Sequence, residues 1–241
     1  MSFLLNCSTF ETTECSVAAI FGVEPICLIK ILKAINPNPA YDNPPDFIYQ
    51  SVCNELGEPK TEIDVVWFHG TRVVDKESFN QFGILPKSEM KQKIESILLP
   101  LAEGLESNGE NPFSLSLCGK QTEADEGPFA VLFKDVAIHS PGNHRSFISV
   151  PEMVEDIAGT WLGGNFHLLV EKYKEATTPC IVSFVSSINT FPLRNALWYL
   201  HLVATGESEI DAASIANTCF NSRGNRISPE NILGIEVFTH V

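Results

Sequence analysis

Apolar residues recur at helical spacing through the first quarter of the chain, and they predict a helical N-terminal region that ends at about residue 58. Residues 25–35 are apolar over a wide face, and the Asn-Pro-Asn-Pro run that follows must end this helix because proline cannot continue one. A second helix is predicted over residues 46–56, with Gly57 as its C-terminal cap. The Asn- and Pro-rich stretch between the two is predicted to be a loop.

Short runs of β-branched and aromatic residues predict strands further along the chain. The first run, Ile-Asp-Val-Val-Trp-Phe at 63–68, leads directly into His69, so a buried strand is expected to end at that histidine. The other predicted strands cover residues 128–133, 180–185 and 232–241.

Helical patterns are interspersed with these strands. Residues 86–105 place apolar side chains on one face, although Pro100 should kink or end the helix. The remaining segments are predicted to be helices at 151–158 and 193–204, a polar acidic surface loop at 106–126 and a turn at 138–143.

The long and irregular connections between these elements indicate an α+β fold rather than a regular βαβ array. Two parts are predicted, an N-terminal helical region over residues 1–58 and an α+β domain over residues 59–241. The helical region is expected to pack on the sheet of the domain.

The composition supports a folded protein and disfavours a nucleic-acid binder. Hydrophobic residues make up 44% of the chain and charged residues 19%, which is enough apolar surface for a core. Sixteen basic and thirty acidic residues give a net charge of −14, which repels phosphate backbones and suits a cationic protein surface. A protein with a cationic surface, rather than a nucleic acid, is therefore the expected macromolecular partner.

Seven widely spaced cysteines without a CxxC pair favour reduced thiols in the cytoplasm over a zinc site. The first residues lack the basic region and long apolar run of a signal peptide, and no apolar stretch reaches the length of a membrane span. The scattered histidines predict no metal site. His201, within an apolar helical run, is predicted to be a hydrogen-bonded core residue.

The clearest chemical signature is His69-Gly70-Thr71-Arg72 at the predicted strand end. An imidazole in this position can hydrogen-bond a hydroxyl group, and a glycine lets a ligand approach the backbone. Threonine adds a hydroxyl, and arginine adds a fork of donors that suits a carboxylate or a phosphate.

The segment Val-Trp-Phe-His-Gly-Thr-Arg at 66–72, followed by Phe-Gly-Ile-Leu-Pro at 82–86, resembles the first motif of ADP-ribosyltransferases of the poly(ADP-ribose) polymerase, or diphtheria-toxin-like, type. The likeness covers about twenty of the 241 residues. It implies a split antiparallel β fold that uses NAD as a substrate and transfers ADP-ribose to a macromolecular acceptor. A toxin is among the roles that it implies.

The resemblance assigns roles to the four motif residues. The histidine of the family contacts the adenosine ribose, and the glycine backbone holds the nicotinamide amide. By this likeness His69 is a catalytic and NAD-binding residue and Gly70 is NAD-binding, while Thr71 and Arg72 line the same pocket.

The chain departs from the family at the second motif, which usually supplies a tyrosine on a later strand. Phe129 or Phe133 stands in the nearest predicted strand, and neither has a hydroxyl group. Phe147, after the His144-Arg145 pair, is the candidate for an aromatic substitute that stacks on NAD.

The third motif of the family is a glutamate at a strand start, and three glutamates compete for this catalytic role, of which Glu230 is predicted to belong to a turn. Glu152 follows a His- and Arg-containing segment, and Ser149-Val150-Pro151-Glu152 also fits a helix capping box. Glu236 lies in the last predicted strand, where a charge also protects an edge from aggregation. The sequence slightly favours Glu152.

Two other functions remain open. The missing tyrosine and the indistinct glutamate favour a non-catalytic relative that binds NAD or an ADP-ribose-like ligand, or that mediates protein contacts. An RNA 2′-phosphotransferase-like enzyme has a related fold and also uses NAD, but its RNA substrate requires basic residues that this acidic chain lacks.

Overall fold

The fold was analysed in a computed structural model of the chain. The structure describes residues 2–36, 43–59, 62–115, 122–142, 144, 146–187 and 191–239. Helix accounts for 53% of the described residues and strand for 18%, so the predicted α+β class is confirmed.

The chain forms two compact units, each built from three separate segments. Unit 1 consists of Met1–Phe68, Val131–Arg145 and Val185–Cys219. Unit 2 consists of His69–Ala130, Ser146–Phe184 and Phe220–Val241. This division differs from the predicted border at residue 58, because unit 1 adds two later segments to the N-terminal region.

The described helices are α1 (Phe10–Phe21), α2 (Pro25–Ala34), α3 (Pro44–Leu56), α4 (Glu77–Phe82), α5 (Lys87–Leu101), α6 (Lys134–His139), α7 (Glu152–Leu162), α8 (Phe166–Ala176), α9 (Phe191–Thr205) and α10 (Glu209–Ala216). The described strands are β1 (Phe3–Leu5), β2 (Ile63–Val73), β3 (Phe129–Val131), β4 (Thr178–Ser187), β5 (Cys219–Asn221) and β6 (Ile232–Val237).

Local sequence signals explain several helix ends. Gly57 caps α3 with a positive φ, as predicted, and Gly163 caps α7 in the same way. Helix α5 ends one residue after Pro100, short of the predicted end at residue 105, in agreement with a proline that kinks or ends the helix. The predicted loop between the first two long helices lies mostly at 37–42, outside the described residues.

The sequence pattern missed some short elements. Helix α6 replaces the start of the predicted turn at 138–143, since six residues are too few to display a periodicity. Helix α10 is rich in alanine and relies on a local cap, in which the Ser208 hydroxyl accepts a hydrogen bond from the Asp211 N–H. Strands β1 and β5 have three residues each and were likewise not predicted.

Unit 1 is mainly helical. Helix α9 packs against α2, α3 and α10, and its buried face includes His201, which is only 3% exposed. The ring donates its Nδ1–H to the carbonyl oxygen of Leu32 at 3.0 Å and stacks on Trp198. The prediction of a hydrogen-bonded core histidine is confirmed. In the same unit β1 pairs in parallel with the start of β2, and Phe68 pairs with Val131 in an antiparallel arrangement.

Unit 2 contains the sheet region that carries the predicted motif. Strand β4 lies between β2 and β6, and its antiparallel register with β6 pairs Ile181 with Glu236. Helices α5, α7 and α8 share a core that includes Leu98, Val154 and Tyr173.

The Gly-Ile part of the predicted motif has a packing role in unit 2. Ile84 forms an antiparallel bridge with Ile227, and Gly83 has φ +70°. A Cβ atom on Gly83 would lie 1.8 Å from the carbonyl oxygen of Ile227, so only glycine fits this approach.

Among the described helices, none by itself combines the length and apolar composition of a membrane span, although the bent pair formed by α1 and α2 passes this test when taken together.

Replacement of Gly83 tests the importance of this backbone approach. We expect Gly83→Ala to lower the free energy of unfolding by about 3 kcal/mol or more, because the new methyl group meets backbone atoms that cannot move away. Gly104→Ala is the matched control in unit 2, since Gly104 also has a positive φ but nothing within 4 Å of the added Cβ. It should lose only about 1–2 kcal/mol. Equal losses in urea unfolding would contradict the steric explanation.

The buried His201 makes stability depend on pH. Burial lowers the pKa of His201, and the hydrogen bond to Leu32 opposes this effect only in part. The unfolded chain therefore binds the proton more tightly than the folded chain. Full stability should be present above about pH 6.5 and should be lost as the pH falls from there through the folded pKa. We expect His201→Gln to flatten the pH dependence of urea midpoints between about pH 5 and 6.5. An unchanged slope would show that His201 does not contribute.

Candidate functional site

Strand β2 extends through the whole motif and ends at Val73. The strand was predicted to end at His69, but it continues through all four motif residues. Because successive side chains of a strand point to opposite faces, His69 and Thr71 lie on one face of β2 and Gly70 and Arg72 on the other. All four belong to unit 2.

His69 is held in one orientation by a neighbouring backbone. Its Nδ1 atom lies 2.7 Å from the carbonyl oxygen of Phe129. Since a carbonyl can only accept, Nδ1 carries the proton, and in the neutral ring Nε2 is an acceptor. The side chain is half-buried, and burial lowers the pKa of His69 more than the Phe129 hydrogen bond raises it. The neutral form is therefore favoured near pH 7.

Exposed aromatic rings lie near the motif. Phe129, whose carbonyl oxygen contacts His69, has a side chain that is 45% exposed. Phe133, the other candidate for the second-motif position, is only 2% exposed and packs against Tyr199 in unit 1, so it is a core residue. Of this pair, Phe129 is therefore the exposed residue and Phe133 the buried one.

Gly70 faces the segment that contains Phe147. A Cβ atom at Gly70 would lie 3.0 Å from the Cγ2 atom of Ile148 and 3.7 Å from the Cβ atom of Phe147. The Phe147 ring is 38% exposed. The structure therefore brings the predicted aromatic substitute next to Gly70, on the face of β2 opposite to His69. Close packing by itself already requires a small residue at position 70.

Every N–H of the Arg72 guanidinium group donates a hydrogen bond to another residue of the protein. Nη1 donates to the carbonyl oxygens of Ile148 and Ser149, at 3.1 and 3.5 Å. Nη2 donates to the carbonyl oxygens of Lys174 and Thr177, both at 2.8 Å, and Nε donates to the Thr177 hydroxyl at 3.0 Å. The guanidinium has five donors, and these contacts use all of them. These contacts give Arg72 a structural role, and its place in a ligand pocket stays a prediction.

The C-terminal end of α8 supports this contact. Tyr173, only 2% exposed, donates its hydroxyl to the carbonyl oxygen of Arg72 at 3.3 Å, and Thr177 donates to the carbonyl oxygen of Tyr173 at 2.6 Å. Burial raises the pKa of Tyr173 to about 12, and the nearby Arg72 charge opposes the shift in part. The tyrosine thus stays protonated as a donor. The sequence offered no signal for this network, because its acceptors are mostly backbone atoms.

Glu152 is the first residue of α7 and follows Pro151, which is the N-cap. The capping box predicted from Ser149 is absent from this helix start, where no side chain caps the backbone. Glu152 is half-buried. A helix N-terminus favours its negative charge.

Glu236 lies on β6, opposite the buried Ile181 of β4, and its own side chain is exposed. In unit 2, β4 separates β6 from β2, so the backbones of β6 and β2 are about 9–10 Å apart. Of the two candidate glutamates, Glu236 is therefore displaced from the motif by a whole strand.

No family model matches the chain, and comparisons with curated proteins and with solved structures also gave no match. The resemblance to ADP-ribosyltransferases consequently rests on the residues at 66–86 alone. Within the described residues, no group of His, Cys, Asp and Glu side chains could hold a metal ion.

The protonation of His69 can be measured directly. We expect long-range ¹H–¹⁵N NMR spectra to show the Nδ1–H tautomer near pH 7, with a titration midpoint below about 6.5. The His69→Gln spectrum identifies the resonance. An Nε2–H tautomer, or a midpoint above that value, would contradict the hydrogen bond to Phe129.

Proposed function

We propose that this protein is an NAD-dependent ADP-ribosyltransferase whose nucleotide site lies at the His69 end of β2. In the proposed reaction the bond between nicotinamide and C1′ of the ribose breaks, and nicotinamide leaves with the electron pair. A nucleophile of a protein acceptor forms the new bond to C1′ and releases its proton. The reaction requires no oxidant, no reductant and no metal.

The observation that carries this proposal is the orientation of His69. With Nδ1–H donated to Phe129, the neutral ring has Nε2 as an acceptor at a half-buried position. A ribose hydroxyl is a donor that fits this acceptor. The Phe129 side chain, on the strand next to β2, is exposed, and flat rings such as adenine and nicotinamide stack well on exposed aromatic surfaces.

Glu152 is the better candidate for the catalytic carboxylate. Breaking the nicotinamide–ribose bond produces an oxocarbenium-like state, and a fixed carboxylate stabilises that positive charge. Arg72 ties the carbonyl oxygens of Ile148 and Ser149 to β2, and Glu152 follows this segment by three residues. Glu236 belongs to an exposed position on β6. These contacts support Glu152, in agreement with the slight preference of the sequence.

A second candidate function is NAD or ADP-ribose binding without transfer. The family resemblance implies a glutamate at a strand start, yet none of the strands in the described parts of the chain begins with one. Glu152 begins a helix, and the dipole at the N-terminus of a helix stabilises a negative charge there without any catalytic role. A protein with this arrangement would bind the nucleotide and present it, or present its own surface, to a protein partner.

One set of measurements separates these functions. We expect calorimetry to detect NAD binding to the unmodified protein, and His69→Ala should weaken it about tenfold, the effect of one lost hydrogen bond. His167→Ala is the matched control, because this exposed histidine of unit 2 also contacts a backbone carbonyl through Nδ1. It should leave binding unchanged.

Release of nicotinamide tests the transferase. With a mixture of candidate protein acceptors, the unmodified protein should release nicotinamide from NAD, and Glu152→Gln should reduce the rate about a hundredfold or more while Glu236→Gln should not. Binding without any release would favour the second candidate. Absence of NAD binding by the unmodified protein would remove both.

A further inference from the structure

The guanidinium group of Arg72 joins two segments of unit 2 that are far apart in sequence. One side of the group faces the carbonyl oxygens of Ile148 and Ser149, and the other faces those of Lys174 and Thr177. Only a planar fork with five donors can serve this set of acceptors, since a lysine ammonium has three donors at a single point.

The two segments that Arg72 joins differ in how much other structure fixes their positions. The Lys174 and Thr177 carbonyl oxygens belong to the end of α8, a helix with a buried face that includes Leu169 and Val170. The 146–149 segment has no regular helix or strand, and its turn is closed by N–H groups of Ser149 and Val150 that donate to the carbonyl oxygen of Ser146. The contact therefore fixes the irregular segment to the regular one.

The contact with Gly70 determines where the side chains of the 146–149 segment lie. Ile148 is fully buried against Gly70, and its neighbour Phe147 remains 38% exposed beside the same glycine. A shift of the segment would move the exposed ring and the start of α7, where Glu152 lies.

We infer that Arg72 is a positioning residue, which holds the 146–149 segment on Gly70 and so sets the places of Phe147 and Glu152 without touching the ligand. This inference rests on the proposed function, because the ligand site that it shapes is the nucleotide site at the end of β2. It assigns Arg72 a role different from the ligand contact that the motif suggests.

The test compares Arg72→Met and Arg72→Lys with Lys172→Met. Lys172 is the matched control because it also lies on α8 and also donates to a backbone carbonyl oxygen, that of Leu101 at 2.9 Å. Hydrogen exchange measured by mass spectrometry reports on the amides at 146–150, and calorimetry reports on NAD affinity. Neither readout needs enzyme activity.

We expect both Arg72 variants to exchange the amides at 146–150 about tenfold faster, with the larger effect in Arg72→Met, while the rest of unit 2 stays protected. NAD affinity should fall about tenfold in Arg72→Met, and Lys172→Met should change neither quantity. If Arg72→Met fails to fold, Arg72→Lys, which keeps the charge and part of the donor set, decides the question by the same two measurements.

Unchanged exchange at 146–150 in the folded Arg72 variants would overturn the inference. Faster exchange with unchanged NAD affinity would overturn the link between this segment and the ligand site. If the unmodified protein binds no NAD, the proposed function fails, and exchange at 146–150 alone then shows whether Arg72 holds the segment.

Discussion

The alternation of side chains along β2 determines what each residue of the His-Gly-Thr-Arg motif can do. Because the strand continues to Val73, Gly70 and Arg72 must face the 146–149 segment while His69 and Thr71 face the other side. Packing and backbone hydrogen bonds thus account for Gly70 and Arg72, the two residues on one face of the motif. The imidazole lies on the other face, so His69 and Arg72 cannot contact a ligand from the same side of the strand, although a reading of the linear motif places them in one pocket.

The elements that the sequence predicted well are those with their own periodicity or with a strong stop signal. Helix α5 with Pro100, helix α3 with Gly57 and the long apolar strand β4 all carry such signals over many residues. Short elements such as α6 and β5 carry none, because three to six residues cannot establish a period. The division into units could not be read from sequence either, since each unit gathers three segments through long-range contacts.

The candidate site shows the same limit at the level of single residues. The chemistry of His69 was visible in the motif, and so was the absence of a tyrosine hydroxyl on the following strand. The partners of His69 and Arg72 were not, because both side chains bind backbone carbonyl oxygens 60 to 105 residues away. Every residue except proline offers the same N–H and C=O groups, so a side chain that hydrogen-bonds to the backbone requires no particular residue type at the partner position. An arginine in a ligand motif can therefore be structural while its neighbours bind.

The acidic character of the chain bears on how a transferase of this kind would choose its acceptor. NAD itself is compact and can be bound by a few local groups, whereas a protein acceptor meets the wider field of a molecule with a net charge of −14. That field raises the encounter rate with cationic surfaces and lowers it with nucleic acid or acidic proteins. The chemistry at C1′ needs only a nucleophile in line with the leaving nicotinamide, so it discriminates little between acceptors. The choice of acceptor should then depend mainly on long-range electrostatic attraction, which favours a protein with a basic surface.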